Sequence, residues 1–124
     1  MSTLARTIFA EERVHPVAAE KVGRYQADVV TRVRGLIEQH DVVVVGMTMN
    51  PYPARARKLL NAQGVKYEYL GIGSYFSQWR VRLALKMWTG WPTFPMIFVK
   101  GAFVGGYTEL SALVDSGELQ RLLA

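Results

Sequence analysis

The sequence predicts an α/β protein with a central four-stranded mixed sheet and helices on both of its faces. One observation is the run of four valines at 42–45, which is β-branched and long enough for a buried strand. Another is the element order, in which a strand–helix–strand unit is followed by a helix and a hairpin. At 124 residues, half of them apolar, the chain is expected to form one domain with a real core.

The segment before this strand predicts one amphipathic helix over residues 17–39. Pro16 suits the first turn of a helix, where a missing N–H costs little. Gly23 and Gly35 each weaken the helix by about 1 kcal/mol relative to alanine. The apolar residues that recur at three- and four-residue steps are Val22, Tyr25, Val29, Val33, Leu36 and Ile37.

The second helix is predicted to begin behind Asn50. Asparagine is among the best N-cap residues, and Pro51 fits the first helical position. Pro53 still lies within the first turn, where it is tolerated, and Gly64 ends the helix. The predicted inner face consists of Ala54, Leu59, Leu60 and Ala62.

A second strand is predicted at 65–70, followed by a third helix. Ser74 can cap this helix, which is expected to run to about Trp88. Three of its residues are spaced as one face, namely Trp79, Leu83 and Met87.

The remaining elements are a hairpin and a terminal helix. Two short strands at 96–100 and 102–104 are predicted to meet at a tight turn at Gly101. The final helical stretch is predicted to bend around Gly117.

Composition restricts the classes of function. The formal net charge of +5 suits an anionic ligand or an acidic partner but is mild for a nucleic-acid-binding protein, so no nucleic-acid partner is expected. The longest aliphatic run is too short to span a membrane, and Arg6, Glu11 and Glu12 interrupt any signal sequence. We therefore expect a cytoplasmic protein with no membrane partner.

Six basic residues on the predicted second and third helices have two interpretations. They form a cationic rim around a ligand site, or they form ordinary helix faces in contact with water. These residues are Arg55, Arg57, Lys58, Arg80, Arg82 and Lys86.

Residues 41–124 resemble a glutaredoxin of the thioredoxin-like superfamily, and residues 1–40 form an N-terminal extension carrying the amphipathic helix. The sequence Asn-Pro-Tyr-Pro at 50–53 stands where that family has Cys-Pro-Tyr-Cys. The most specific stretch is Trp-Pro-Thr-Phe-Pro at 91–95 with Phe-Val-Lys-Gly at 98–101 and Val-Gly-Gly at 104–106. It is similar to the single-cysteine (monothiol) branch. The resemblance implies the glutaredoxin-type fold with three layers.

The resemblance also implies glutathione or a thiol peptide as the ligand. Pro95 matches the cis-proline of the family, which would leave backbone groups of Phe94 free to pair with an extended peptide. Arg82 matches an arginine that the family directs at a ligand carboxylate. The remaining candidate binding residues are Tyr52, Thr93, Gly105, Gly106 and Thr108; Thr108 or Glu109 is also a candidate cap for the last helix.

The departures from the family pattern concern its chemistry. The sequence has no cysteine, and thiol–disulfide exchange requires a thiolate. Asn50 keeps the helix cap without a nucleophile, and Pro53 removes the second cysteine position. Met47 stands where the family has a lysine. We expect no iron–sulfur cluster, no metal site and no self-contained thiol-disulfide oxidoreductase activity.

Three hypotheses remain open. The protein is a non-redox module that binds glutathione or a thiol peptide, or a protein-interaction or regulatory module without a small ligand. The third is a glutathione-dependent enzyme in which bound glutathione supplies the sulfur, or a glutaredoxin-type electron-transfer protein, as family similarity would imply.

Overall fold

Four strands form one mixed sheet: β1 (Val42–Gly46), β2 (Glu68–Gly71), β3 (Met96–Val99) and β4 (Ala102–Gly105). Their order is β2-β1-β3-β4, with β1 and β2 parallel and the other two pairs antiparallel. Six α-helices accompany it in the part of the chain that the computed structural model describes, residues 10–74 and 76–124: α1 (Pro16–Arg24), α2 (Ala27–Gln39), α3 (Pro51–Ala62), α4 (Trp79–Thr89), α5 (Tyr107–Asp115) and α6 (Glu118–Leu123). Residues 1–9 of the predicted extension and Tyr75 lie outside the described residues. The predicted fold class is confirmed.

The core is divided by the sheet into two halves. Alternate residues of a strand point to opposite faces. Val43 and Val45 therefore pack with α2 and α4, whereas Val42 and Val44 pack with α3, α5 and α6. Because both faces are covered, all five residues of β1 are buried, which explains the unbroken valine run.

The predicted helix over 17–39 is wrong as a single element. Gln26 adopts a left-handed conformation with φ of 48°, which separates α1 from α2. Val33 of α2 is fully buried against the sheet, whereas every residue of α1 is exposed. The apolar spacing continues through both helices, but only α2 has a sheet face to cover.

The predicted start of the third helix at Ser74 is also wrong, because α4 begins at Trp79. The hydroxyl of Ser74 accepts a hydrogen bond from the N–H of Phe76, and the N–H of Ser74 donates to the Ser77 hydroxyl. Such local side-chain bonds offer the backbone an alternative to a helix. The predicted face Trp79–Leu83–Met87 exists, and it is exposed.

Two further boundaries differ from the prediction. The buried side chains of α3 are Pro53, Ala56 and Leu60, while the predicted inner residues Ala54 and Ala62 are exposed. The second strand begins only at Glu68. The bend between α5 and α6 at Gly117 (φ 77°) and the hairpin turn at Gly101 (φ 81°) are confirmed.

Within residues 10–74 and 76–124, no helix has the length and apolar character needed to cross a membrane.

Candidate ligand-binding groove

The N-terminus of α3 forms one wall of the candidate site, and its first turn has no free backbone N–H group. Asn50 is the N-cap, and its Oδ1 accepts a hydrogen bond from the N–H of Tyr52 at 3.0 Å. Pro51 and Pro53 have no N–H. The three positions of the first turn therefore offer no free backbone donor to a ligand.

The amide group of Asn50 also joins this wall to the opposite one. Its Nδ2 donates to the carbonyl oxygen of Phe94 at 3.0 Å. The Phe94–Pro95 peptide bond is cis. Asn50 thus bonds at both ends of its amide, and it occupies one acceptor position of the Phe94 carbonyl, whose two lone pairs leave one further position.

The N-terminus of α5 forms a third part of the site. The N–H of Gly106 donates to Oε1 of Glu109 at 2.8 Å, so Glu109 caps the last helix. Gly105 has φ of 110°, and a Cβ there would lie 2.7 Å from Cγ of Glu109. The N–H groups of Tyr107, Thr108 and Glu109 belong to the first helical turn and have no backbone partner within the helix. They are the donors that remain for an anion.

These walls enclose a cavity of about 470 Å³, called the binding groove below. It is lined by residues 50–52, 91, 93–95 and 106–109. Of the predicted ligand residues, the structure brings together Tyr52, Thr93, Phe94, Pro95, Gly106 and Thr108. Gly105 does not line the groove. Its positive φ of 110° forms the turn immediately before Gly106 and the helix that carries Glu109.

Arg82 is the predicted ligand residue that the structure places elsewhere. Its side chain is buried, with the residue only 6% exposed. Its Nη1 donates to the carbonyl oxygens of Ile72 and Ser77. Arg82 therefore holds the loop between β2 and α4, and it does not line the groove.

Three lining residues were neither among the predicted binding residues nor in the turn at 50–53. The rings of Tyr107 and Tyr52 lie 6.0 Å apart, and Trp91 packs on Phe103 at 5.5 Å. The Trp91 Nε1 is buried and has no hydrogen-bond partner among the described residues. Glu109 is the third, and its position three residues after Gly106 is the spacing of a capping box, a sequence signal that could have singled it out.

Charge near the groove is limited. Lys86 is half-buried, with its Nζ 5.9 Å from the centroid of the Phe94 ring. Met47, at the position of the family's lysine, is buried in the core at 6% exposure. The pKa of Glu118 is held below its ordinary value by a hydrogen bond from Arg121, but this exposed pair on α6 is not part of the groove lining.

Metal-ligating side chains do not cluster in the described part of the chain: no group of three His, Cys, Asp or Glu residues could hold an ion there.

A larger cavity of about 1080 Å³ lies at the other end of β1 and is lined mainly by the loops that precede β1 and β2, residues 40–41 and 63–67. None of the predicted site residues lines it. The binding groove is therefore the candidate site, although it is the smaller cavity, because it contains the predicted ligand residues.

The chain is similar in sequence to known proteins of one family. The glutaredoxin family model matches residues 42–104. A glutaredoxin-like protein of Dictyostelium discoideum is 43% identical over 98 residues, which cover 79% of this chain and 80% of the relative. Monothiol glutaredoxin-4 of Schizosaccharomyces pombe is 37% identical over 97 residues, 74% of this chain but only 38% of that longer protein.

Comparison with solved structures shows that the chain has the fold of glutaredoxins. The structure of a buckwheat glutaredoxin–glutathione complex superimposes with a TM-score of 0.70 at 24% identity, covering 80% of this chain and 90% of that one. A poplar glutaredoxin C1 in its reduced form gives a TM-score of 0.72, covering 83% and 88%. Because the family model matches residues 42–104 and a relative is 43% identical over most of both chains, the chain belongs to the glutaredoxin family.

Proposed function

We propose that the protein binds glutathione, or a peptide carrying a similar thiol segment, in the binding groove without redox chemistry. The observation that carries this proposal is the groove itself, in which Tyr52, Thr93–Pro95 and the α5 N-terminus line one cavity. Its volume of about 470 Å³ lies within the range of small-ligand pockets. The buckwheat structure with which this fold superimposes is a glutathione complex.

The absence of cysteine makes binding without thiol exchange the coherent form of this proposal. A thiolate is the attacking group in disulfide exchange, and the amide of Asn50 cannot replace it. The alternative of a glutathione-dependent enzyme would need the thiol of bound glutathione to be activated at the N-terminus of α3. That end has no free first-turn N–H, because Pro51 and Pro53 lack one and Tyr52 donates to Asn50.

The ligand contacts that remain available are on the other walls. The Phe94 carbonyl keeps one acceptor position, and the Tyr107 and Thr108 N–H groups can donate to a carboxylate at the positive end of α5. Binding should therefore depend on the peptide backbone and carboxylates of glutathione rather than on its sulfur.

An amide NMR titration with reduced glutathione tests the proposal. Shifts are expected at Asn50–Tyr52, Thr93–Met96 and Gly106–Glu109, and S-methylglutathione should produce the same shifts with similar affinity. Thr108→Glu, which adds a negative charge beside the α5 donors, should weaken binding. Thr31→Glu, on the exposed side of α2, is the matched control and should bind as the unaltered protein does.

An interaction module without a small ligand is the second candidate. It is favoured by one observation: Asn50 and Glu109 already occupy the Phe94 carbonyl and the Gly106 N–H. An absence of shifts at millimolar glutathione would contradict the first candidate and leave this one.

A further inference from the structure

The outer face of α4 is an exposed apolar stripe, defined here as Trp79, Leu83 and Met87. Residues four apart on a helix lie on one face. Their exposed fractions are 52%, 39% and 48%, and Phe76, just before the helix, is 85% exposed. Five of the ten large hydrophobic residues that are exposed in the described chain fall between positions 76 and 88.

This concentration is unusual for a helix that packs on a sheet. The opposite side of α4 buries Arg82, Ala84 and Leu85 against the core, so the helix does not need the stripe to be held in place. Contiguous exposed apolar surface on a small protein marks an interaction site more often than scattered single residues do. The stripe is therefore a candidate interaction surface.

The charges beside the stripe indicate the chemistry of that occupant. At 100° per residue, Arg80 and Lys86 lie on opposite flanks of the stripe. The sequence has no Asp or Glu between Glu68 and Glu109. Within residues 10–74 and 76–124, neither Arg80 nor Lys86 takes part in an ion pair. The flanks are thus cationic without an internal counter-charge.

Arg80 is also held in a defined position. Its Cζ lies over the Trp79 ring, 4.4 Å from the centroid, so the guanidinium makes a cation–π contact with the stripe. A guanidinium in such a contact keeps its in-plane N–H donors free for a bidentate bond with a carboxylate. An ordered arginine also loses less conformational freedom when it binds.

We propose that the α4 stripe docks an acidic amphipathic helix of a partner protein. The partner helix would lie along α4, extending the layer that α2 and α4 already form, with apolar residues against the stripe and carboxylates near Arg80 and Lys86. The 11 residues of α4 offer a contact about 16 Å long, or three turns. A second copy of this chain fits less well, because pairing two stripes would place like charges together.

The test uses a synthetic, fluorescently labelled helical peptide of about four turns, with leucines on one face and glutamates on both flanks. A scrambled peptide of the same composition is the control. Fluorescence anisotropy should show saturable, salt-sensitive binding of the first peptide only. Leu83→Ser and Arg80→Glu should each weaken binding by about tenfold or more.

Two matched controls separate the stripe from general effects. Val22→Ser alters an apolar residue that is 60% exposed on α1, and Arg55→Glu reverses an exposed arginine whose Cζ lies 5.0 Å from the Tyr52 ring centroid. Both should bind the peptide as the unaltered protein does. Circular dichroism and thermal unfolding of each variant establish that it is folded.

Four outcomes would overturn the proposal: no binding of the patterned peptide, equal binding of the scrambled peptide, equal losses in the Arg55→Glu control, or concentration-dependent dimerisation that Leu83→Ser abolishes. Co-sedimentation with phosphatidylglycerol vesicles, lost in Leu83→Ser while the peptide fails to bind, would assign the stripe to a lipid surface instead. Because the stripe is distinct from the binding groove, the glutathione titration can succeed or fail independently.

Discussion

Two helix N-termini open onto the binding groove, and they offer a ligand different things. The first turn of α3 has no free N–H, because two of its residues are proline and the third donates to Asn50. The first turn of α5 carries no proline, and only its cap N–H, that of Gly106, is taken by Glu109. One terminus is closed to an anion while its neighbour remains open.

The difference shows that a helix dipole alone does not make an anion site. Both helices point their positive ends at the groove, but anion binding at a helix terminus also needs N–H groups aimed at the ligand. In this chain the N-terminus of α3 is instead connected to the opposite wall, because Asn50 bonds both to the Tyr52 N–H and to the Phe94 carbonyl. The first turn of α5, by contrast, keeps N–H groups that have no partner within the helix.

Gly105→Ala is expected to have the largest effect, at the open terminus. Alanine at φ of 110° is strained, and its Cβ would lie 2.7 Å from Cγ of Glu109, which must then leave the Gly106 N–H. The free energy of unfolding should fall by about 3 kcal/mol. Urea denaturation measures it.

Gly101→Ala is the control for that substitution, since φ is 81° but nothing lies within 4 Å of the added Cβ. It should lose only the cost of backbone strain, about 1–2 kcal/mol. Equal losses in the two variants would show that the Glu109 cap contributes little at this terminus.

Asn50→Ala should have the next largest effect, and it acts at the N-terminus of α3, which is closed to an anion. It removes both the helix cap and the bond to the Phe94 carbonyl, and should lower the free energy of unfolding by about 2 kcal/mol. Asn50→Ser keeps a capping oxygen and should lose only about 1 kcal/mol. Asn61→Ala, exposed on the same helix, should change stability little. A loss of stability in Asn50→Ala no larger than in Asn61→Ala would show that the two hydrogen bonds of Asn50 contribute little.

Restoring a thiol tests the closure of the α3 terminus directly. In Asn50→Cys the thiol pKa should fall only modestly below the ordinary value of about 8.5, because the Tyr52 N–H, released from its bond to Asn50, is the single first-turn donor available to the thiolate. Adding Pro53→Ala restores one N–H and should lower that pKa by about one unit. The pH dependence of alkylation measures both values. Equal pKa values in the two variants would show that the N–H missing at Pro53 does not limit anion binding at this terminus.

Glu109→Gln should have the smallest effect, at the open terminus. The amide oxygen can still accept from the Gly106 N–H, while the negative charge in the groove is removed. Affinity for glutathione, which is anionic, should rise about threefold, as judged by NMR titration. Glu38→Gln on the exposed face of α2 should leave affinity unchanged. A decrease in Glu109→Gln would mean that Glu109 pairs with the ligand amine.

The sequence by itself determined the local features of this protein. The valine run, the Asn50–Pro51 cap, the turns at Gly101 and Gly117 and the absence of a cysteine thiol are all read from the residues themselves and their neighbours. Their causes act over a few positions: β-branching, a side-chain cap, a positive φ and the identity of one side chain. The family resemblance depended on these same spacings.

Only the tertiary structure decided which distant groups meet. Asn50 and Phe94 are 44 residues apart, and their bond exists because β1 and β3 are neighbours in the sheet. The same topology buries Arg82 under the β2–α4 loop and leaves the α4 stripe exposed. Periodicity indicates that a helix has two faces, but the sheet decides which face is covered, because burial depends on the elements that pack against it.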